Sequence, residues 1–286
     1  MASVVLLLHL AFAPQAHAQG DGQGVSFRPE LQRTVDAPLF ASGAVLLVVG
    51  SSLHVTNQLV PPEGLTPDGI RWSADRDVIG NLSERANGQS DHYRNAALIY
   101  PIAISAITQP GGTLRRSVLY AEALGITVGL TFLLKNSFDR PRPYTYVPAD
   151  QRPSDSNFDV TRDEAFRSMP SGHTSVAFCA AGFVTADHIY SRPHVGWAER
   201  VAVPFAGGFL AGMTSGLRVE GGQHFPSDVI VGALIGTATG VAVPVLHQYV
   251  GVDGQRSVRP SGREWGRALV GLALGVGGGL LVAQSY

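Results

Sequence analysis

One short stretch combines the residue types needed to attack and hold a phosphoryl group. It runs from Arg218 to Asp228, with a histidine six residues after the arginine and the aspartate four residues after that histidine. Pro226 suits the first turn of a helix, which places His224 at the helix mouth with Asp228 within reach of one ring nitrogen. A carboxylate there fixes the tautomer and leaves the other nitrogen free to act as nucleophile or base. The guanidinium of Arg218 is a planar donor that suits phosphate.

A second segment places two cations at the end of an apolar stretch. Lys135 precedes Arg142 by seven residues, and Pro141 and Pro143 stop the predicted helix near them. Alone, the pair is slightly better explained by long basic side chains that reach toward a membrane interface. Near a histidine, the same ammonium and guanidinium groups would hold phosphate oxygens.

A third segment, Pro-Ser-Gly-His at 170–173, opens the next apolar stretch. At a helix N-terminus the backbone N–H groups of Ser171 and Gly172 would face an anion, helped by the helix dipole. His173 lies beside them without a carboxylate of the kind that follows His224. Two imidazoles in contrasting surroundings suggest separate roles as nucleophile and acid. For this segment or the first one alone, a helix start that carries its histidine by chance is the alternative.

The three segments together favour a phosphate site over those separate explanations. Their cations supply the positive charge that a metal ion brings to other phosphoryl-transfer sites, and no carboxylate cluster typical of Mg²⁺ binding accompanies them. We therefore expect no metal or other cofactor at this site. Asp75 and Asp77 are interpreted as residues of a solvated loop, and His247 as an ordinary polar residue at the end of a segment.

Composition favours a helical membrane protein. The chain has 286 residues and a net charge of -1. Of its residues, 15% are charged and 45% are apolar. Soluble domains usually have about a quarter of their residues charged, and apolar segments rich in Gly and Ala pack closely in membranes. We expect an all-α helical bundle of six or so transmembrane helices, with the active site at one membrane face. No polybasic surface indicates a nucleic-acid partner.

Several apolar stretches are long enough to span a bilayer, and they divide the chain into four regions. The apolar stretches lie at about 39–55, 95–109, 117–134, 173–190, 201–217, 227–249 and 266–283. The predicted regions are a signal peptide at 1–18, an N-terminal region with one apolar helix and a polar loop at 19–94, a core with the three motifs at 95–250, and a basic loop and apolar helix at 251–286. The signal prediction rests on the apolar block at 4–13 and the Ala-His-Ala site that follows it.

Basic connections predict the orientation of the bundle. Arginines cluster at 115–116, 192–200 and 256–267, which fall on one side if the helices between them span the membrane. By the positive-inside rule that side is cytoplasmic, and the three motifs face the periplasm. A cleaved signal peptide would leave residue 19 outside, and counting the next two spans from there places the motifs on the opposite side of the membrane. Either the signal is retained or segment 39–55 does not cross fully.

The pattern K-x6-R-P, then P-S-G-H, then R-x5-H-x3-D resembles the three-part signature of the type 2 phosphatidic acid phosphatase superfamily. The matching residues are, in chain order, Lys135, Arg142, Pro143, 170–173, Arg218, His224 and Asp228. One departure is Leu217, where the family often has serine. The resemblance covers roughly 115–250, and three ordered motifs at compatible spacings are far more specific than any one of them.

This resemblance implies a role for each matching residue. His224 attacks phosphorus in line and forms a phosphohistidine, while Asp228 orients its imidazole. His173 protonates the leaving group and then activates the water that hydrolyses the intermediate. The non-bridging oxygens are held by Lys135, Arg142, Ser171, Gly172 and Arg218.

The resulting hypothesis is a metal-independent phosphatase that hydrolyses a lipid phosphate monoester or pyrophosphate. Its partners would be the phosphorylated lipid and the membrane, and its location the inner membrane of a bacterial cell envelope with the site facing the periplasm. One alternative is a secreted, soluble, non-specific acid phosphatase. Others are a vanadate-dependent haloperoxidase and a membrane protein that retains an inactive anion pocket.

Overall fold

The structure, a computed structural model, describes residues 27–56, 65–251, 253–257 and 259–286, and these residues are mostly helical. The predicted signal peptide at 1–18 lies outside the described residues. In chain order the helices are α1 (Arg33–Thr56), α2 (Ser73–Arg76), α3 (Glu84–Thr108), α4 (Thr113–Lys135), α5 (Gly172–Ser191), α6 (Trp197–Glu220), α7 (Pro226–Leu246) and α8 (Gly262–Ala283). The two short strands β1 (Arg28–Pro29) and β2 (Tyr249–Val250) pair antiparallel. The predicted all-α fold is confirmed.

Helix α5 is at the centre of the bundle and contacts α3, α4, α6 and α7. Glycines at 232, 236 and 240 form one stripe on α7, and a Cβ at any of them would collide with the backbone of α5. Small residues at this spacing let two helix backbones approach closely. On the other side of the bundle α6 packs along α8, and α1 packs along α4. The close α5–α7 contact brings the N-terminal ends of both helices together.

Four of the described helices are long and apolar enough to cross a membrane: Arg33–Leu53, Pro110–Lys135, Pro226–Leu246 and Gly262–Ala283. The sequence suggested six or so, including α5 and α6. Both of these are interior helices, so contacts with other helices replace contact with lipid and their sequences can be less apolar. Large apolar side chains on the outer faces of α1, α7 and α8 are exposed, among them Val48, Leu234 and Leu281. Such surfaces are typical of helices that face lipid.

The phosphate motifs converge at one end of this bundle. Lys135 ends α4, Gly172 begins α5, Arg218 lies in the last turn of α6 and Pro226 begins α7. The segment after α4 is tied to the segment before α5, because the N–H of Arg142 donates to the carbonyl of Ala165 at 2.8 Å. Four helix ends and one loop therefore build the site.

Candidate active site

His224 lies in the turn between α6 and α7, at the mouth of α7 as the sequence predicted. Gly222 adopts a φ of +65° in this turn, a conformation that suits glycine. The N–H of His224 then donates to the carbonyl of Arg218 at 3.2 Å. The imidazole is only 1% exposed, and its Nδ1 lies 3.7 Å from Oδ2 of Asp228. That oxygen also accepts the N–H of Phe225 at 2.8 Å, so the carboxylate caps α7 while it faces the ring.

Ser168 connects the histidine and the aspartate. Its hydroxyl donates to Oδ2 of Asp228 at 2.6 Å and lies 3.5 Å from Nδ1 of His224. The direct contact between ring and carboxylate is longer than a hydrogen bond, as is common before a substrate is bound. Both groups lie on the Nδ1 side of the ring, which leaves Nε2 as the nitrogen that can attack. Ser168 was not identified from the sequence, because it precedes the Pro-Ser-Gly-His motif.

The other predicted side chains surround His224. Burial lowers the pKa of His224 well below its ordinary value, and the positive charges of Arg142, Lys135, Arg218 and His173 lower it further. These four side chains come from three separate parts of the chain, and each is close enough to act on the ring. The imidazole is consequently neutral at physiological pH, which is the state that a nitrogen nucleophile needs.

Gln223 holds the two arginines together. Its Oε1 accepts a hydrogen bond from Nη1 of Arg142 at 2.7 Å and another from Nη2 of Arg218 at 3.5 Å. Its amide donates in turn to the carbonyl of Asn157 at 3.2 Å. Gln223 is buried, and its oxygen offsets part of the repulsion between two neighbouring guanidinium groups. No role for Gln223 was predicted from the sequence, although it directly precedes His224.

Each of these two arginines also donates hydrogen bonds to residues other than Gln223. Arg142 donates to the backbone carbonyl of Glu164 at 2.7 Å and to its carboxylate at 3.3 Å. Arg218 donates to Asn87 at 2.6 Å and to Ser90 at 3.3 Å. Asn87 and Ser90 lie in the first turns of α3, so the predicted boundary at 94/95 falls inside a helix whose beginning contributes to the site.

The N-terminus of α5 differs in one respect from the expectation. Ser171 is the N-cap and Gly172 the first residue, as predicted, but the N–H of Ser171 donates to the carbonyl of Asp228 at 3.1 Å. The prediction that this N–H faces an anion is therefore wrong. The N–H groups of Gly172 and His173 have no partner within their own helix, because the first turn of any helix lacks acceptors for them. They remain suited to an anion.

His173 contacts an acid and a base from α3. Its Nε2 lies 2.7 Å from Oδ1 of Asp91 and 2.5 Å from Nη1 of Arg94. One nitrogen cannot accept from the arginine and donate to the carboxylate at once, so the two partners correspond to the neutral and the protonated ring. Burial and the charges of Arg218 and Arg94 lower the pKa of His173 to about 3, against the opposing effect of Asp91. The arrangement provides a partner for each protonation state.

The interpretation of Asp75 as a solvated loop residue is wrong. Asp75 is 2% exposed; it accepts hydrogen bonds from Nη2 of Arg140 at 2.7 Å and from the hydroxyl of Ser227 at 2.6 Å. Arg140 in turn donates to Oδ1 of Asp228 at 2.5 Å. Arg140 therefore connects Asp75 to Asp228. Asp77 is exposed, as predicted.

Residues 116–251 match the family described as the PAP2 superfamily. This segment contains Lys135, the 170–173 motif and the stretch from Arg218 to Asp228, which together surround the buried histidine. We call residues 116–251 the PAP2 core because of this similarity. The resemblance to the type 2 phosphatidic acid phosphatase family is confirmed for this part of the chain.

A curated relative is also similar to part of this chain. The "Probable diacylglycerol pyrophosphate phosphatase 1" of Schizosaccharomyces pombe (strain 972) is 31% identical over 127 residues. The match covers 39% of this chain and 46% of that protein. The chain therefore spans less than half the length of this relative.

Asp75 provides a test of how the PAP2 core positions its aspartate. We expect Asp75→Asn to lower kcat about 10- to 100-fold with little change in KM, because Arg140 loses one of its two anionic partners and Asp228 loses its fixed position. The measurement is steady-state phosphate release, and Asp77→Asn is the matched control because Asp77 is exposed two residues away. Equal rates in the two variants would show that Asp75 has no part in positioning Asp228.

Proposed function

We propose that this protein is a membrane-bound phosphatase that hydrolyses a lipid phosphate monoester or pyrophosphate through a phosphohistidine at His224, without a metal ion. The observation that carries the proposal is a buried, neutral imidazole surrounded by Lys135, Arg142 and Arg218. A phosphoryl group placed among these cations would have its negative charge offset where it increases in the transition state.

In the first step Nε2 of His224 attacks phosphorus, the N–P bond forms and the bond to the leaving oxygen breaks. Asp228 and Ser168 act on Nδ1 and stabilise the positive charge that the ring acquires. His173 gives its proton to the leaving oxygen. In the second step His173 takes a proton from water, the water oxygen attacks phosphorus, and the N–P bond breaks to release phosphate and neutral His224.

The acid role of His173 requires that its pKa rise when substrate binds. Without substrate, the charges of Arg218 and Arg94 contribute to the low pKa of His173. A bound phosphate brings negative charge to the same place and opposes these guanidinium groups, which favours the imidazolium. The substrate would thus promote protonation of the acid that its own cleavage needs.

A lipid substrate is supported by the surface of the bundle. Exposed apolar side chains cover α1, α7 and α8, and the site lies at the helix ends, near which a lipid headgroup would lie. The relative named above carries a lipid pyrophosphate in its printed name, which fits a substrate of this class. For the same reasons we favour this function over that of a soluble acid phosphatase.

We further propose an inner-membrane location in a bacterial envelope, with the site toward the periplasm. Lys135, His173, Arg218 and Pro226 lie at one end of their helices. The basic connections at 115–116, 192–200 and 256–267 lie at the other end, which the positive-inside rule assigns to the cytoplasm. Cysteine labelling with a membrane-impermeant reagent in intact cells would test this orientation, and modification only after lysis of a cysteine placed at Asp155 would contradict it.

Substrate class and metal independence can be tested in one experiment. Purified protein in detergent with excess EDTA is given diacylglycerol pyrophosphate, phosphatidate, p-nitrophenyl phosphate and glucose 6-phosphate. We expect EDTA-resistant release, with kcat/KM at least about 10-fold higher for the lipids because the headgroup is presented at the micelle surface. Equal rates for soluble phosphates, with partition of the protein into the aqueous phase, would favour the soluble acid phosphatase instead. Release that EDTA abolishes and Mg²⁺ restores would contradict the mechanism.

A further inference from the structure

One histidine and two carboxylates converge between α1, α4 and α7, away from the phosphate site. Asp36 lies in the first turn of α1, Glu122 in the middle of α4, and His247 directly after α7. One ligand atom from each lies within 4.8 Å of the others. His224 precedes the opposite end of α7, whose 21 residues span roughly 30 Å. The mechanism proposed above uses none of these three side chains.

Glu122 is the least satisfied member of this cluster. It is 1% exposed, and neither of its carboxylate oxygens receives a hydrogen bond from a nitrogen or hydroxyl donor of the described part of the chain. A buried carboxylate without donors is costly, so such a group requires a proton or a cation close by.

The orientation of His247 favours a cation. Its Nδ1 lies 2.8 Å from the carbonyl of Val243, so this nitrogen carries the hydrogen and donates it. In the neutral ring the lone pair of Nε2 then points toward Oδ1 of Asp36 at 3.0 Å and Oε2 of Glu122 at 3.7 Å. Histidines that bind metals usually donate their second ring N–H to a carbonyl or carboxylate in this way.

A second buried contact between histidine and glutamate provides a contrast. His188 lies 3.5 Å from Glu199, but Arg192 lies 3.1 Å from the same carboxylate and balances its charge. Within the described ranges, by comparison, Asp36 and Glu122 form no ion pair with an arginine or lysine. An imidazolium at His247 would balance only one of the two carboxylates. A divalent cation with a neutral imidazole balances both.

We propose that Asp36, Glu122 and His247 bind one divalent transition-metal ion that fastens α1 to α4 and α7. An imidazole with two carboxylates suits Zn²⁺ better than Mg²⁺ or Ca²⁺, which prefer oxygen ligands alone. Zinc bonds of about 2.1 Å place neighbouring ligand atoms of a tetrahedron about 3.4 Å apart, between the 3.0 and 3.7 Å separations found here. The fourth position would be left to water.

The backbone supports this site before any ion binds. The N–H of Glu30 donates to the carbonyl of Gln248 at 2.8 Å, beside the pairing of β1 with β2. The segment that leads into α1 is thereby held against the segment that follows His247. A metal ion would add a side-chain link to this backbone link.

Zinc binding is tested on the full chain in detergent, purified without a histidine tag. The protein is equilibrated with ZnCl₂, desalted and assayed for zinc per chain by mass spectrometry, next to Glu122→Gln, Asp36→Asn and the exposed control Asp253→Asn. We expect about one zinc per chain in wild type and in Asp253→Asn, and a loss of at least about 10-fold in both cluster variants. Zinc should also raise the apparent melting temperature of wild type by several degrees and leave that of Asp36→Asn unchanged.

Two results would overturn the proposal. Wild type that retains no more zinc than Asp36→Asn would show that the carboxylates share a proton only. Zinc retained equally by all variants would show that it binds elsewhere. Asp36 is at the edge of the cluster, with its side chain 15% exposed, so Asp36→Asn keeps the test valid if Glu122→Gln fails to fold. Because the experiment measures bound metal, a failure of the zinc proposal can be distinguished from a failure of the proposed phosphatase activity.

Discussion

His224→Ala is expected to lower kcat at least about 10⁴-fold for every substrate that the wild-type protein hydrolyses. The variant removes the atom that forms the N–P bond, and neighbouring groups cannot replace it. Substrate binding should be retained, because the variant keeps the cations of Lys135, Arg142 and Arg218. The measurement is phosphate release together with a competition assay for binding of a non-hydrolysable lipid phosphonate.

The control for this variant is His194→Ala, since His194 is exposed in the connection between α5 and α6, at the opposite end of the bundle. Both variants should elute and melt like wild type, because His224 lies in a turn between helices. A rate within 10-fold of wild type after the His224 change would remove that residue from the chemistry and would favour an inactive pocket or a different nucleophile.

Asp228→Asn is expected to lower kcat about 10³-fold while KM changes little. The carboxylate faces Nδ1 of His224 and would stabilise the positive ring of the intermediate, whereas a neutral amide cannot. The amide also loses its attraction to Arg140. The measurement is single-turnover phosphate transfer, which reports the attack step without the later hydrolysis.

Ser227→Ala is the matched control for the aspartate variant. Ser227 is the neighbouring residue and donates to Asp75, so its loss disturbs the same network without removing charge next to His224. We expect a decrease of less than about 10-fold for Ser227→Ala. Equal decreases in the two variants would mean that Asp228 contributes packing and capping of α7 alone.

The chemistry of the site could be predicted from the sequence because it resides in short motifs. A histidine followed four residues later by an aspartate is a local arrangement, and Pro226 fixes the helix start between them. The all-α fold could also be predicted from the sequence, since each long helix corresponds to a largely apolar stretch. Neither inference depends on knowing which helices are neighbours.

The supporting residues could not be predicted, because their partners are distant along the chain. Asp75 meets Arg140 across 65 residues, and Asn87 meets Arg218 across 131. Both lie in a polar stretch whose composition is that of any surface loop. The packing of α3 beside α6 buries Asn87, and the packing of α2 beside the start of α7 buries Asp75. The position of the Ser171 N–H also depends on tertiary contact, because α7 supplies the carbonyl that accepts from it.

Four of the described helices are long and apolar enough to cross a membrane, whereas the sequence suggested six or so, and the reason for the difference is related. Length and apolar content distinguish a membrane helix from a loop, but they do not distinguish a lipid-facing helix from one in the centre of a bundle. Helix α5 is buried along nearly its whole length, including Asp187, which pairs with Arg116 at 3.1 Å. A polar pair of this kind is tolerated where protein surrounds it.

The most direct test of the central claim is to identify the phosphorylated residue. His173→Ala is mixed with ³²P-labelled lipid pyrophosphate, quenched in alkali and mapped by mass spectrometry. This variant should slow hydrolysis more than attack, because the phosphate that leaves a pyrophosphate depends less on an acid than an alkoxide does. The account predicts about one alkali-stable, acid-labile phosphate per chain, on His224, and none in the His173→Ala/His224→Ala double variant. Label on another residue, or turnover by wild type with no covalent label in either variant, would contradict it.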